Sequence, residues 1–275
     1  MLSSDFDEFA VRPFTNVMGR FDLSGKKALV TGAAGGIGGA CARAFAEMGA
    51  DVALMDVVAR QAELEQVAAS IAERYKVRSI AITGDVADES SISQFIHTTV
   101  DALGTIDILH NNAGIASLDR ADMAFEEWRR LMAINVDGVM LVGRAAANVM
   151  IEHGHGGSII NTASMSGHIV NRMPDANYGF AYTTSKAAVL HMTRAMAAEY
   201  VKYGIRVNSV SPGVVLSGIH DMVPPELLRD ILKDVPLGRF GTLDEVAGVV
   251  AFLASDLSSF MIGSDVLADG GQCIT

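Results

Sequence analysis

Short apolar runs alternate along the chain with longer segments in which apolar residues recur every three or four positions. Gly, Asp, Asn and Ser bound the short runs, which is typical of strands buried in a sheet. These runs predict strands at residues 28–30, 52–55, 79–83, 106–110, 158–161, 207–210 and 266–268. The longer segments predict helices at residues 36–49, 59–75, 89–103, 125–151, 182–203 and 243–254.

Strands that alternate with helices predict an α/β fold, in which helices cover both faces of a parallel sheet. The 275 residues are compatible with one such unit, so we interpret residues 23–275 as a single domain. Residues 1–22 are interpreted as an N-terminal arm that lies on the surface or on a neighbouring subunit. Ligands of parallel sheets bind beyond the carboxyl ends of the strands, and candidate chemistry is therefore sought there.

Composition and net charge limit the kinds of molecule that the chain is expected to bind. The net charge of −11 disfavours a nucleic-acid partner, because phosphate binding needs a basic surface. No apolar run approaches the roughly 18 residues of a membrane span, and the acidic N-terminus does not resemble a secretory signal. Cys41 and Cys273 have no metal-ligand spacing. We expect a cytoplasmic protein that has reduced thiols, binds no metal and acts on a small molecule.

The first predicted strand ends in a glycine-rich turn, Thr31-Gly32-Ala33-Ala34-Gly35-Gly36-Ile37-Gly38-Gly39, and a helix follows. Glycine lets a backbone approach a pyrophosphate, and a helix N-terminus offers that anion free N–H groups. Close packing of a strand on a helix also selects glycine, so the turn alone is unspecific. The order of strand, turn and helix favours a dinucleotide site at Gly32, Gly36, Ile37 and Gly38.

An acidic residue, Asp56, follows the second predicted strand, about 20 residues beyond the turn. A carboxylate here accepts hydrogen bonds from both adenosine ribose hydroxyls and repels a 2′-phosphate. No basic residue replaces Ala33 or Ala34, and Arg60 falls inside the next predicted helix. The alternative is that Asp56 only caps that helix. The pattern predicts NAD rather than NADP as the cofactor.

The third and fourth predicted strands are also followed by polar or glycine-containing turns. Asp85 and Val86 follow the third strand, and Asn111-Asn112-Ala113-Gly114 ends the fourth. Asn-Ala-Gly is a common turn sequence by itself. Its place at a strand end makes Asn112 and Gly114 candidates for a wall of the cofactor site.

Tyr182 and Lys186 are four residues apart in a predicted helix and therefore share one face. The pKa of a free tyrosine is near 10, so it must fall by roughly 3 units before the side chain works as a base near neutrality. A nearby ammonium group and the positive nicotinamide of NAD⁺ both favour the phenolate. We predict that Tyr182 moves a proton while a nicotinamide moves a hydride. Tyr178 is excluded from this pair, because a tyrosine rather than a lysine follows it four residues later.

Taken together, these residues resemble the short-chain dehydrogenase/reductase family. The matching motifs are Thr-Gly-x-x-x-Gly-Ile-Gly at 31–38, Asp85, Asn-Asn-Ala-Gly at 111–114, Asn135, Ser164, Tyr-x-x-x-Lys at 182–186 and Pro-Gly at 212–213. The resemblance runs from about residue 23 to residue 271. It implies one Rossmann-type domain with a doubly wound sheet of about seven parallel strands. It also implies a homo-oligomer, either a dimer or a tetramer.

The resemblance implies roles for residues that the pattern alone leaves open. Asp85 and Val86 are expected to contact the adenine, and Asn112 and Val215 to line the cofactor. Ser217 stands where many members of the family have threonine after Pro-Gly, and it is expected to bond the nicotinamide amide.

Asn135 is expected from the resemblance to hold a water in a proton relay to Lys186, the alternative being an ordinary amide on a helix surface. Ser164 is expected to donate a hydrogen bond to the substrate oxygen. It precedes Tyr182 by 18 residues, more than is usual in the family, and Ser166 is a rival. The run Asn161-Thr162-Ala163-Ser164 aligns with the strand end of the family and favours Ser164.

Residues 164–172 resemble the corresponding stretch in polyol and ketose dehydrogenases of the family. Polar residues are dense around it, which suits a hydroxylated substrate as well as it suits a solvated loop. The candidate substrate contacts are Ser164, Ser166, His168, Asn171 and Tyr182. Residues 216–238 are interpreted as a substrate lid, in which Pro224-Pro225 opens a short helix.

The predicted function is an NAD(H)-dependent interconversion of a sugar alcohol and its ketose. A 3-oxoacyl thioester reductase is one alternative, although a chain of charge −11 repels an acidic carrier protein and such enzymes commonly prefer NADP. A gluconate-type dehydrogenase is another. A non-catalytic dinucleotide-binding sensor would be expected to have lost part of the catalytic set, which is complete in this sequence.

Overall fold

Seven parallel strands form one sheet, as the alternation of short and long apolar segments predicts. The computed structural model describes residues 16–116, 122–170, 179–216 and 225–274. The strands are β1 (Lys27–Thr31), β2 (Asp51–Asp56), β3 (Ser79–Thr83), β4 (Ile108–Asn111), β5 (Gly157–Thr162), β6 (Ile205–Pro212) and β7 (Asp265–Ala268). The helices are α1 (Gly36–Glu47), α2 (Gln61–Tyr75), α3 (Glu89–Leu103), α4 (Phe125–Met132), α5 (Gly138–His153), α6 (Phe180–Tyr200), α7 (Pro225–Lys233) and α8 (Leu243–Ala254).

Helices cover both faces of this sheet. Residues of α1, α2 and α8 share one apolar cluster with Val30, and residues of α3, α5 and α6 share a second with Leu29. Neighbouring residues of a strand point to opposite faces, so Leu29 and Val30 lie in different halves of the core. Cys41 is fully buried in α1. The predicted doubly wound, single-domain architecture is confirmed.

The strand order, β3-β2-β1-β4-β5-β6-β7, reverses at β1, which lies between β2 and β4. At such a reversal a crevice opens beyond the carboxyl ends of the strands. The glycine-rich turn after β1, Asn112 after β4 and Ser164 after β5 all follow strand ends at this edge. The fold therefore gathers candidate residues that are far apart in the sequence.

The long helix predicted at residues 125–151 is interrupted by a π-helical turn, Ala133–Asp137, between α4 and α5. The span Phe125–His153 is long and apolar enough to cross a membrane, judged by length and composition, and half of its apolar window is buried inside the fold. Val142 and Met150 of α5 are fully buried in the core. These contacts are those of a core helix.

The described residues cover only part of the predicted N-terminal arm and only part of the predicted substrate lid. Residues 16–22 contain a 3₁₀ turn, Met18–Phe21, and Arg20 donates a hydrogen bond to the Ser259 hydroxyl at 2.9 Å. This part of the predicted arm therefore contacts its own domain. In the predicted lid, residues 217–224 lie outside the described residues, and a helix, α7, begins at Pro225.

Candidate active site

The turn after β1 leaves its backbone open to a ligand. Gly32 has a φ of +67° and Gly36 a φ of +54°, values that favour glycine. A Cβ on Gly38 would collide with the carbonyl oxygen of Gly32 and lie 2.7 Å from the side-chain nitrogen of Asn112. A Cβ on Gly36, where α1 begins, would meet nothing within 4 Å. The turn is thus a glycine-lined cradle at a helix N-terminus, and it fits a pyrophosphate.

Asp56 closes one side of this cradle. Its carboxylate accepts hydrogen bonds from the backbone N–H of Ala34 at 2.9 Å and from that of Val57 at 2.8 Å. A carboxylate has about four acceptor positions, so Asp56 retains capacity for ribose hydroxyls. It therefore fixes the turn as well as being available to a ligand.

Arg60 lies closer to the cradle than the sequence predicts. The expected helix at residues 59–75 is preceded by a 3₁₀ turn, Val58–Arg60, and α2 begins only after it. This turn directs the guanidinium back, where it donates a hydrogen bond to the carbonyl oxygen of Ala34 at 3.2 Å. The predicted place of Arg60 inside the next helix is therefore wrong, because this cation precedes α2 and contacts the glycine-rich turn.

The turn after β3 forms a further side of the crevice. Asp85 accepts a hydrogen bond from the N–H of Ala87 at 2.9 Å and so holds the turn after β3. Val86 is buried, and a Cβ on Gly138 would lie 2.9 Å from its side chain. Contact of Asp85 and Val86 with an adenine stays a prediction.

Asn112 is fixed to the glycine-rich turn by its side-chain nitrogen and its backbone N–H. Its Nδ2 donates hydrogen bonds to the carbonyl oxygens of Thr31 at 3.0 Å and Gly32 at 3.3 Å. Its own N–H and that of Ala113 both donate to the Thr31 hydroxyl. The ends of β1 and β4 are therefore joined where a cofactor would lie.

Three other residues that are predicted to contact the cofactor are Ile37, Val215 and Gly114. Ile37 packs partly buried against the core, and Val215 is buried where its backbone pairs with Gly241. A Cβ on Gly114 would lie 3.3 Å from Asn135 Oδ1 and 3.7 Å from Lys186 Nζ, so this glycine borders the catalytic candidates. Ser217 lies outside the described residues.

Tyr182 and Lys186 share one face of α6, as predicted. The Lys186 Nζ lies 5.7 Å from the centre of the Tyr182 ring and donates a hydrogen bond to the carbonyl oxygen of Thr162 at 2.8 Å. The side chain of Ser164 hydrogen-bonds with that of Tyr182. Lys186 is only 5 % exposed, and this burial lowers its pKa to about 8. Serine, tyrosine and lysine therefore form one connected group.

The pKa of Tyr182 moves opposite to the expected direction. Burial raises it above the usual value, and the hydrogen bond with Ser164 offsets only part of that effect. A buried phenolate loses its hydration, whereas the Lys186 ammonium group lies over the ring. Tyr182 is therefore neutral at pH 7, and its role as proton carrier stays a prediction.

Asn135 lies in the π-helical turn and is 0 % exposed, so its interpretation as a helix-surface amide is wrong. Its Oδ1 accepts from the N–H of Ile115 at 2.9 Å, and its Nδ2 donates to the Ile115 carbonyl at 2.8 Å and to the Ser185 hydroxyl at 3.1 Å. Ser185 in turn donates to the carbonyl oxygen of Tyr182 at 2.7 Å. Asn135 thus supports the start of α6, and its part in a water relay stays a prediction.

The candidate substrate residues are only partly brought together. Ser164 and Ser166 are both buried after β5, and the N–H of Ser166 donates to the Ser164 hydroxyl at 3.1 Å. His168 contacts the edge strand instead, with its Nε2 2.8 Å from a carboxylate oxygen of Asp265. Asn171 lies outside the described residues. Of these candidates, Ser164 is the one whose hydrogen bond with the Tyr182 side chain links it directly to the proposed proton carrier.

Comparison with known proteins shows which family this chain belongs to. Residues 32–272 match a family model described as Enoyl-(Acyl carrier protein) reductase. A short-chain type dehydrogenase/reductase from Mycobacterium marinum is 42 % identical in sequence and superimposes with a TM-score of 0.89, over 94 % of this chain and 100 % of that chain. The chain belongs to the short-chain dehydrogenase/reductase family.

Curated relatives of this short-chain dehydrogenase/reductase include enzymes named for sugars and sugar alcohols. A sorbose reductase from Candida albicans is 36 % identical over 94 % of this chain and 90 % of its own length. A probable NADP-dependent mannitol dehydrogenase from Yarrowia lipolytica is 37 % identical over 94 % of this chain and 91 % of its own length. The chain is thus an oxidoreductase of CH–OH groups that resembles polyol dehydrogenases, and its family binds nicotinamide dinucleotides.

Several residues of this short-chain dehydrogenase/reductase contribute to the site although the sequence did not single them out. Thr162 connects Asn112 to Lys186, and Ser185 connects Asn135 to Tyr182. The Thr31 hydroxyl accepts hydrogen bonds from the N–H groups of Asn112 and Ala113. The positions of Thr31, Thr162 and Ser185 in the sequence could have indicated them, because each lies within two residues of a candidate, and the two threonines end the buried strands β1 and β5. Across the described ranges, no three His, Cys, Asp or Glu side chains cluster as metal ligands would.

Proposed function

We propose that this chain is an NAD(H)-dependent dehydrogenase that interconverts a sugar alcohol and its ketose. The observation that carries the proposal is the connected group of Ser164, Tyr182 and Lys186 at the sheet edge that also holds the glycine-lined cradle. Interconversion of an alcohol and a ketone needs a proton carrier beside a bound dinucleotide. These two features supply that combination.

A dinucleotide whose pyrophosphate is held by the cradle would supply a nicotinamide as the hydride donor or acceptor for the carbon that carries the reacting oxygen. The side chains of Ser164 and Tyr182 share a hydrogen bond, and we propose that both bind one substrate oxygen and stabilise negative charge on it. In reduction the neutral Tyr182 donates its proton to that oxygen, and in oxidation the deprotonated side chain accepts it. Lys186, whose pKa is about 8, is mostly charged at neutral pH and favours the phenolate.

The substrate class rests on the segment after β5 and on the relatives. Two relatives at 36 % and 37 % identity over nearly the whole chain are named for sorbose and for mannitol. Ser164 and Ser166 supply buried hydroxyls at the same place, which suits a substrate whose own hydroxyl groups lose water on binding. A gluconate-type dehydrogenase would use the same chemistry on a related hydroxylated substrate.

A 3-oxoacyl thioester reductase is the second candidate. The description of the matching family model names an acyl-carrier-protein substrate, which favours it. The charge of −11 opposes it, since an acidic carrier would be repelled. We rank it below the polyol activity for this reason.

The preference for NAD(H) rests on Asp56, which would repel a 2′-phosphate from the ribose position. Arg60 is the observation on the other side, because its guanidinium lies beside the same turn and could neutralise that phosphate. One relative is NADP-dependent by name. We propose that NAD(H) is preferred and that Arg60 permits a slower reaction with NADP(H).

A paired activity screen tests both parts of this proposal. The purified chain is offered four- to six-carbon polyols with NAD⁺ and NADP⁺, the matching ketoses with NADH and NADPH, and a 3-oxoacyl thioester with both reduced cofactors. We expect turnover of at least one polyol–ketose pair and a higher kcat/KM with NAD(H). Turnover of the thioester without any polyol or ketose would reject the substrate class, and equal kcat/KM with the two cofactors would reject the NAD preference.

A further inference from the structure

His110 is an imidazole inside the apolar core, on β4 and two residues before Asn112. It is 0 % exposed, and its ring meets that of Phe45 edge to face, with the centres 6.4 Å apart. Its neighbours Ile108 and Leu109 on the same strand are buried apolar residues. Burial lowers the pKa of His110 to about 3, so the ring is neutral under all ordinary conditions. A polar ring at such a place is costly unless its hydrogen bonds have a use.

The ring makes one hydrogen bond. His110 Nε2 lies 2.9 Å from the hydroxyl oxygen of Thr162, and Nδ1 has no partner among the residues that the structure describes. The Thr162 hydroxyl lies 3.2 Å from Asn112 Oδ1. A line of polar groups therefore runs from the buried histidine to the wall of the cofactor crevice.

The direction of each bond in this line follows from the donors. Asn112 uses Nδ2 as a donor to the carbonyl oxygens of Thr31 and Gly32, so its Oδ1 must be the acceptor that faces Thr162. Thr162 has one hydroxyl proton, which goes to that oxygen, and its own oxygen must then accept from His110. The imidazole therefore carries its proton on Nε2.

Thr162 also has a second use. Its backbone carbonyl oxygen accepts the hydrogen bond from Lys186 Nζ at 2.8 Å. The hydroxyl of one residue thus reaches the cofactor wall while its carbonyl reaches the catalytic lysine. A change confined to the hydroxyl can be separated from a change to the lysine.

We propose that His110 is a positioning residue for dinucleotide binding, which acts by holding the Thr162 hydroxyl toward Asn112. Without the imidazole donor, the hydroxyl is free to rotate and no longer fixes the Asn112 amide. The Asn112 amide in turn holds the carbonyl oxygens of Thr31 and Gly32 in the glycine-rich turn. A displacement of Asn112 would therefore loosen the cradle that is proposed to hold the cofactor.

The test rests on the dinucleotide site of the proposed function and measures binding directly. NADH and NADPH are titrated by calorimetry into the unchanged chain, His110→Leu, His110→Gln and Thr162→Val. We expect His110→Leu and Thr162→Val each to weaken NADH binding about tenfold, the effect of one hydrogen bond in such a network. Glutamine can donate to Thr162 through its amide and should restore binding to within about twofold.

NADH binding by the double variant tests whether His110 and Thr162 act through the same line of hydrogen bonds. If both residues act through one line of bonds, His110→Leu with Thr162→Val binds NADH no more weakly than Thr162→Val alone. Because Lys186 keeps its carbonyl partner in each variant, the KM of NADH should rise by a larger factor than kcat at saturating cofactor falls. Multiplying effects of the two substitutions would overturn the proposal.

Ile160→Val is the matched control for a loss of core packing. Ile160 is buried on β5 directly beside His110 in the sheet and touches none of these hydrogen bonds. Equal weakening of NADH binding in Ile160→Val would overturn the proposal, as would unchanged binding in Thr162→Val, which decides the matter even if His110→Leu fails to fold. An unchanged chain that binds neither dinucleotide would instead overturn the proposed function itself.

Discussion

The cofactor side and the substrate side of the crevice are built by different means. On the cofactor side, backbone groups and glycines make the surface, and side chains such as Asn112 and Asp56 hydrogen-bond to that backbone. On the substrate side, the buried side chains of Ser164 and Ser166 follow β5, and His168 contacts Asp265 instead. A surface made of backbone recognises a constant ligand, whereas a surface made of side chains can change with the substrate. The reaction class can therefore be inferred from this chain more readily than the identity of its substrate.

The two sides meet at Tyr182, where we expect the largest effect. Tyr182→Phe removes the proton carrier and should lower kcat by about a thousandfold, within the range of general acid–base catalysis. NADH binding should be unchanged, because the cradle is intact. Steady-state kinetics and calorimetry measure the two quantities.

Tyr200→Phe is the matched control, since Tyr200 ends the same helix away from the Ser164–Tyr182–Lys186 group. It should keep full activity. Substantial turnover in Tyr182→Phe would show that another group carries the proton.

On the cofactor side, Gly38→Ala should weaken NADH binding by about tenfold to a hundredfold, the effect of an overpacked methyl group. The new Cβ would collide with the carbonyl oxygen of Gly32, which is backbone and cannot move aside cheaply. Calorimetric titration of NADH provides the measurement. Gly248→Ala is the control, because a Cβ there meets nothing within 4 Å. Tight NADH binding by Gly38→Ala would contradict the cradle described above.

The pH profile tests the chemistry that the two sides share. Because burial raises the pKa of Tyr182, its deprotonated fraction rises about tenfold per pH unit across the neutral range, and so should kcat/KM for alcohol oxidation. Above the Lys186 pKa of about 8 the ammonium charge is lost, and the rise should flatten. Ketone reduction uses the protonated tyrosine and should be nearly constant from pH 6 to about pH 8. A reduction rate that rose in parallel with oxidation would contradict these proton roles.

The smallest effect concerns the ribose end of the cofactor side. Arg60→Ala should lower kcat/KM with NADP(H) about fivefold and leave NAD(H) within about twofold, because one exposed guanidinium contributes modestly. Arg74→Ala removes a charge from α2, the helix that follows Arg60, and is the control. Kinetics with both cofactors measure the difference. An equal loss with NAD(H) would assign Arg60 to the shape of the turn rather than to phosphate binding.

The sequence predicted most of the fold because its signals are local. Strand ends, the glycine-rich turn and Asp56 are defined by neighbouring residues, and α8 has the bounds that the pattern gives. The burial of Asn135 could not be predicted in this way, because a π-helical turn departs from the regular helical period. Arg60 and His110 depend on contacts that cross strands or turns. The direction of the Tyr182 pKa depends on burial, which no spacing of residues reveals.

The π-helical turn Ala133–Asp137 also sets how the long helix is divided. An α-helix advances roughly 100° per residue, so one residue added within a turn rotates everything beyond it by that angle. On one side of the turn, Trp128 of α4 stacks near Phe180 at 5.6 Å, and on the other, Met150 of α5 is buried in the core. The two halves, α4 and α5, can therefore turn differently oriented faces toward their neighbours although the helix continues without a break. Deleting a single residue there would bring the halves back into phase and rotate one of those faces away from its partner.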